Sequence, residues 1–259
     1  HLEYNDGRTI FKTILIILYI YLFYVAIMAY NYRRHSKQYY PPDKSIRINS
    51  SYQKPAAWTG HMVKIIQPET PRLLLRQWQL SDREPLANMS ADTEVMKFFP
   101  AVMSREESDA MADRLEAMIA ENGYGPWAVE LKETGEFIGF VGLFSSAPEF
   151  PVTPSIQILW RLARPFWGYG YASEAANAAL ATGFNELGVN EIVACAALGN
   201  NASASVMARL GFTDTGVNFH HHFFKETDQN RLHRLYRLHR DQWLGVKATG
   251  EAERLSAHI

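Results

Sequence analysis

"FWGYGYASEAANAAL" (residues 166–180) sets two glycines, Gly168 and Gly170, one residue apart immediately before an alanine-rich run. Ala172, Ala175, Ala176, Ala179 and Leu180 recur at helical spacing, so the stretch reads as a glycine loop that opens a helix. Such a loop, fed by a strand, turns several backbone N–H groups outward at the positive end of the helix dipole, where an anion such as a pyrophosphate is stabilised. Glycine lets that anion approach with no Cβ in its path. The competing reading makes the glycines a tight strand-to-helix turn, and a lone G-x-G does not separate the two. A dinucleotide fold, suggested by Gly168, Gly170 and Ser173, fails on context. The loop comes late, after an antiparallel hairpin, and Glu191 opens the next strand instead of closing it.

Outward from the loop, the elements alternate. "RLLLRQW" (72–78) is strand-like; "SDREPLANM" starts a helix with a capping box from Ser81 to Glu84, and "SREESDAMADRLEAMIAENG" repeats the device with Ser104 and Glu107 before stopping at Gly123. "PWAVELK" and "EFIGFVGLF", joined by a turn at 133–135, form an antiparallel hairpin, and "PSIQILWRLA" is a further strand. The helix over 172–187 stops at Gly188; "EIVACAAL" is a short buried strand and "ASASVMARLGF" a short helix ending at Gly211. "LHRLYRLH" alternates two partly covered faces and closes the order β, two helices, three strands, α, β, α, β. That order is an α+β sheet with one crossover unit inside it.

The two ends of the chain differ in composition. Residues 1–61 hold nine of the 13 tyrosines and only four alanines, whereas the remainder holds four tyrosines and 25 alanines, which sets a boundary near Met62. Three segments follow: 1–61 as an apolar helix and linker, 62–245 as the folded domain, and 246–259 as a tail. "ILIILYIYLFYVAIMAY" (14–30) is uncharged and at about the lower length limit for crossing a bilayer. Arg33, Arg34 and Lys37 behind it place the C-terminal side in the cytoplasm if it inserts. Met62, in "TGHMVKII", also offers a start for the second part, so residues 1–61 read as an anchor, a fusion or a misjoined upstream frame. The formal net charge of -1 argues against general nucleic-acid binding. The single cysteine excludes an internal disulfide framework and suits a reducing compartment, hence a cytoplasmic protein.

These motifs resemble the GNAT acyltransferases, and within them the RimJ/RimL-like proteins, from about Glu69 to Trp243. The family's phosphate loop, [QR]-x-x-G-x-[GA], matches Trp167, Gly168, Tyr169, Gly170, Tyr171 and Ala172, with Trp in the first position as this branch often has. "WRLARPFWGYGYASEA" and "ELGVNEIVACAALGNNASASVMARLGF" are similar to the branch's longer signature. The resemblance implies a GNAT fold with a mixed, mostly antiparallel sheet, splayed central strands and flanking helices. It implies acetyl-CoA as cosubstrate, its pyrophosphate on the N–H groups of residues 168–172. The pantetheine arm would lie between the strand at Leu159, Trp160 and Arg161 and the strand over 192–197. The partner is then an amine acceptor, a peptide N-terminus or a small molecule, acetylated by direct transfer. A homodimer stays open.

The catalytic residues implied are fewer. Asn200 and Ser203 match the family's N-x-x-S, where a hydroxyl reaches the thioester sulfur; alternatively Asn200 or Asn201 caps the helix and Ser203 completes its first turn. A tyrosine acid on this helix is absent, since Met207 holds its position. The branch's E-I-G-W reads Gln157, Ile158, Leu159, Trp160 here, so the expected glutamate base is a neutral amide. Glu130 and the histidines are the other candidate bases, or the protein is a catalytically weak CoA-binding module. A metal site at His220, His221 and His222 is not expected, because consecutive strand residues point in opposite directions. Cys195, among apolar strand residues, reads as an inert buried thiol.

Overall fold

The computed structural model describes residues 63–245. The apolar segment over 14–30, the linker and the tail from 246 lie outside the described residues.

A seven-stranded sheet runs in the order β1-β2-β3-β4-β5-β7-β6. Its strands are β1 (Leu73–Arg76), β2 (Pro126–Leu131), β3 (Phe137–Ser145), β4 (Ile156–Leu162), β5 (Glu191–Ala197), β6 (Thr213–His220) and β7 (Leu232–His239). The helices are α1 (Arg83–Ala91), α2 (Arg105–Asn122), α3 (Tyr171–Ala181) and α4 (Asn201–Arg209). Every strand pairing is antiparallel except β4 with β5. This is the mixed sheet with flanking helices that the sequence implies.

The first seven residues of β3 are buried because both faces of the sheet are covered. On one face, a Cβ on Gly183, just past α3, would lie 3.0 Å from Leu143 and 2.7 Å from Ile192. Leu143 is the register partner of Ile158, so this end of α3 lies on the Ile158 face. Alternation along β4 then sends Gln157, Leu159 and Arg161 to the opposite face. There α1 packs on β3, α2 packs on β2, and Arg161 meets Met111 of α2. Leu73, Ile138, Leu143, Phe184 and Met207 are fully buried around the sheet.

Three local expectations change. α1 is entered through a 3-10 turn (Leu80–Asp82) whose capping box joins Gln79 and Asp82, with Asp82 at the N-cap, in place of the box from Ser81 to Glu84. The cause is Arg76. Its guanidinium holds both Asp82 carboxylate oxygens at 2.7 and 2.8 Å inside the core, and that pair anchors the turn. The box at Ser104 and Glu107 and the left-handed Gly123 are as expected. The second change is β6, a seventh strand absent from the sequence reading. Its residues are mostly exposed and its ladder shifts between Asp214 and Asn218, so it carries no alternation to read. Third, the helix predicted over 172–187 ends as a π turn (Thr182–Glu186) before the left-handed Gly188.

Candidate active site

The central feature is a gap. β4 and β5 share only two register pairs, Ile156 with Ile192 and Gln157 with Val193, although each strand continues for several residues beyond them. From there the strands diverge, and the backbone at Leu159, Trp160 and Arg161 borders the opening. α3 begins just past β4, and α4 just past β5.

The glycine loop lies between β4 and α3. Gly168 and Gly170 have φ of +85° and +82°, and Gly170 is the N-cap of α3 without a side-chain cap. Nothing lies within 4 Å of a Cβ built on Gly168, and only Arg72 Nη2, at 3.7 Å, near one built on Gly170. Both positions are open, so the first-turn N–H groups of α3 are accessible to an anion. Neighbouring side chains hold the loop in shape. Trp167 Nε1 donates to Leu162 O at 2.7 Å, while its ring stays half exposed. Tyr169 stacks on Tyr171 with centroids 5.8 Å apart, and Ala172 lies in the first helical turn. Arg72 donates to Tyr169 O at 3.1 Å, lies over the Tyr171 ring at 4.5 Å, and pairs with Glu174. Burial pushes the Glu174 carboxyl up, but the Thr70 hydroxyl and Arg72 together hold it below its usual range. This latch from β1 to α3 was missed by sequence reasoning. Its one signal is an acid one turn after the glycines. A groove of about 600 Å³ outside the latch, lined by Pro71 and Asn177 among others, shares no residue with the gap.

At the other border, Asn200 is the N-cap of α4 and accepts from Ser203 N–H at 3.1 Å. Asn200 is thus a cap, while the Ser203 hydroxyl makes no hydrogen bond among the described residues. Gln157 is buried, 7% exposed, and its amide makes no hydrogen bond among the described residues. Glu130 is not brought to the gap: it lies two strands away on β2 and accepts from Arg76 Nε at 2.6 Å. Its carboxylate is engaged by Arg76 rather than turned to the gap.

A histidine shares the Gln157 face instead, one strand beyond β5. His233 on β7 is the register partner of Ala197 at the end of β5, and Val193, Cys195 and Ala197 alternate onto the Gln157 face. His233 Nδ1 lies 3.2 Å from Arg231 O, the geometry in which Nδ1–H donates and Nε2 keeps its lone pair. Burial lowers its pKa despite that bond. The His221 ring sits 4.7 Å from it, its pKa pushed down to about 4 by burial and by the neighbouring His233 and His222. Only His220 of the three consecutive histidines is in a strand; His221 and His222 stack in the following turn. Among the described residues no three His, Cys, Asp or Glu side chains gather around a possible metal. Burial pushes the Cys195 thiol up to about 12, consistent with an inert thiol.

A parallel pair that splays apart, followed by a glycine turn into a helix, is the arrangement that the resemblance to the GNAT acyltransferases implies. The acetyltransferase (GNAT) domain family matches residues 72–213, more than half of the chain. The chain belongs to this family; it is an N-acetyltransferase with acetyl-CoA as cosubstrate. Among its relatives, "Uncharacterized N-acetyltransferase YoaA" of Bacillus subtilis is 28% identical over 58% of this chain and 84% of its own length. "FsC-acetyl coenzyme A-N(2)-transacetylase" of Aspergillus fumigatus is 29% identical over 69% of this chain and 78% of its own. A GNAT acetyltransferase crystal structure from Bacillus anthracis superposes with a TM-score of 0.58 at 23% identity, covering 68% of this chain and 99% of that one. Mycobacterium smegmatis RimJ in complex with CoA-disulfide gives 0.53 at 19%, over 68% and 87%.

Proposed function

We propose that the protein transfers the acetyl group directly to a primary amine of a peptide N-terminus or small molecule, in the manner of the RimJ/RimL-like branch. The carrying observation is the gap itself: one end opens onto the glycine cradle of α3, and one face onto the α1–α2 side of the sheet. The donor and the amine meet through it from opposite sides. Residues 62–245 form the catalytic domain, and the single cysteine supports a cytoplasmic setting.

Bound acetyl-CoA supplies an activated acetyl thioester. The N–H groups of residues 168–172 hold its diphosphate, and the β4 edge at Leu159, Trp160 and Arg161 lies along the pantetheine arm. Asn200 fixes the first turn of α4, so that the Ser203 hydroxyl can give its proton to the leaving sulfur and take back the one that the acetylated nitrogen sheds. His233 takes the proton from the amine. Because burial lowers its pKa, it is neutral at pH 7 and ready to accept, and it stays neutral to a lower pH than a free imidazole. Gln157, an amide with free donors and acceptor, orients the amine.

The test is titration of acetyl-CoA into wild-type protein and Gly170→Val, with mass-spectrometric detection of acetylated products across peptide and small amines. A branched Cβ at φ +82° costs about 1–3 kcal/mol in strain and stands where the diphosphate must come. Affinity is expected to fall by about 100-fold or more, two decades corresponding to ~2.8 kcal/mol. Unchanged affinity in a folded Gly170→Val protein returns the loop to a simple turn and removes this reading.

A further inference from the structure

Arg161 is a cation without a counterion among the described residues. Its side chain leaves β4 on the α1–α2 face, where the guanidinium lies 4.0 Å from the Phe99 ring centre and 5.2 Å from that of Phe140. Its Nε is fully buried with no partner, and its one hydrogen bond is a long contact of 4.0 Å from Nη1 to the Met111 sulfur. Burial alone pushes its pKa down to about 10, a measure of how little compensates the charge. The acids Glu94, Asp82 and Glu130 are committed elsewhere: Glu94 to Arg164, and Asp82 and Glu130 to Arg76. Aromatic faces attract a guanidinium but offer no oxygen to its N–H donors.

The surroundings show where this charge is aimed. Residues 97–99 cross from β4 toward the β5 side. Phe99 covers Arg161, Phe98 comes within 3.5 Å of a Cβ position on Gly199 just past β5, and Lys97 O accepts from Asn230 in the β6–β7 loop at 3.0 Å. The strap thus bridges the mouth of the gap on the face that also carries Gln157 and His233. The Lys97 ammonium, 5.9 Å from the Phe98 ring centre, adds a second positive charge.

We propose that Arg161 recognises an anionic oxygen group, carboxylate or phosphate, on the amine acceptor, which enters beneath the 97–99 strap. This rests on the acetyltransferase reading of the gap. The acceptor class is an amine whose anionic group completes the coordination that the protein leaves open, bound bidentately by a planar fork already held by two rings. An uncompensated cation retained at a cost in stability is what a specificity residue looks like before its ligand arrives.

The experiment uses the full chain as wild type, Arg161→Met and Arg161→Lys. Each is titrated calorimetrically, with and without saturating CoA, with N-acetylglycine, N-acetylated phosphoethanolamine and neutral N-acetylglycinamide, which mimic the acetylated products. Wild type is expected to bind one or both anionic probes at least ~10-fold more tightly than the neutral one, the better of the two naming carboxylate or phosphate. Arg161→Met is expected to lose that preference while its melting temperature rises, because an unpaired buried charge has gone; Arg161→Lys should keep part of the preference. Equal binding of charged and neutral probes, a preference that survives in Arg161→Met, or no anion binding by wild type each overturns the proposal. So does a lower melting temperature with loss of all three probes, which makes Arg161 a packing residue. CoA binding is read on the same samples. Its absence defeats the acetyl-CoA reading separately, because the Arg161 comparison is also made without CoA.

Discussion

Gln157 shows how one residue's surroundings decide its chemistry. It stands where the branch carries a glutamate, which invites the thought that restoring the acid would restore a base. The side chain is 7% exposed and has no hydrogen-bond partner to receive a charge. A carboxylate there is either protonated, and useless as a base, or charged at a cost of several kcal/mol. Gln157→Glu is therefore expected to lower the melting temperature by several degrees with no gain in kcat/KM at pH 7. Thermal melts and steady-state kinetics on the purified variant check this; a rise in kcat/KM that disappears as pH falls would instead place the base at position 157. Asn200 carries the opposite lesson. Both of its readings were legible in sequence, and the bond to Ser203 N–H shows that capping by Asn200 and a free Ser203 hydroxyl coexist.

Among the elements, the β6–β7 hairpin is the one whose chemistry depends on pH. His221 and His233 are both held below the ordinary imidazole pKa, His221 at about 4, with burial the first cause in each. Between the folded and unfolded values the unfolded chain binds more protons, so stability is complete above about pH 6.5 and is lost as pH falls toward about 4. His221 is partly open to solvent, and screening reduces its share to about 1–2 kcal/mol. His221→Asn is expected to flatten the slope of stability against pH across this window, as read by urea melts at pH 4.5, 5.5 and 7. An unchanged slope would mean that His221 charges freely in the folded state. The hairpin also shows why sequence reading failed locally. β7 alternates and was legible; β6 is exposed, polar and bulged, and becomes a strand only because β7 offers it an edge.

At the scale of the whole molecule, every strand of the sheet, the glycine cradle, Asn200 and Ser203 lie after Met62. Residues 62–259 are accordingly expected to fold and bind acetyl-CoA without the first 61, within about threefold of the full chain's affinity, a difference of ~0.65 kcal/mol. Circular dichroism melts and acetyl-CoA titration of the truncated protein check this. A truncated chain that does not fold, or folds without binding, would make the first segment part of the domain. Among the described residues no helix is long and apolar enough to cross a membrane, so membrane fractionation of the two chains tests the apolar run over 14–30 directly.

By itself the sequence determined six of the seven strands in chain order, the helices and the glycine loop, because these depend on periodicity, caps and backbone freedom within a few residues of each other, while its motifs carried the resemblance to the family. Only the tertiary structure decided that Glu130 is spent on Arg76 and that the latch from Thr70 and Arg72 to Glu174 holds the loop. It also decided that His233 shares a face with Gln157, and that Arg161 forms no ion pair among the described residues. The reason is physical. A charge or a lone pair is defined by what surrounds it, and here each partner lies dozens of residues away along the chain, brought close by strand order and register rather than by any local pattern.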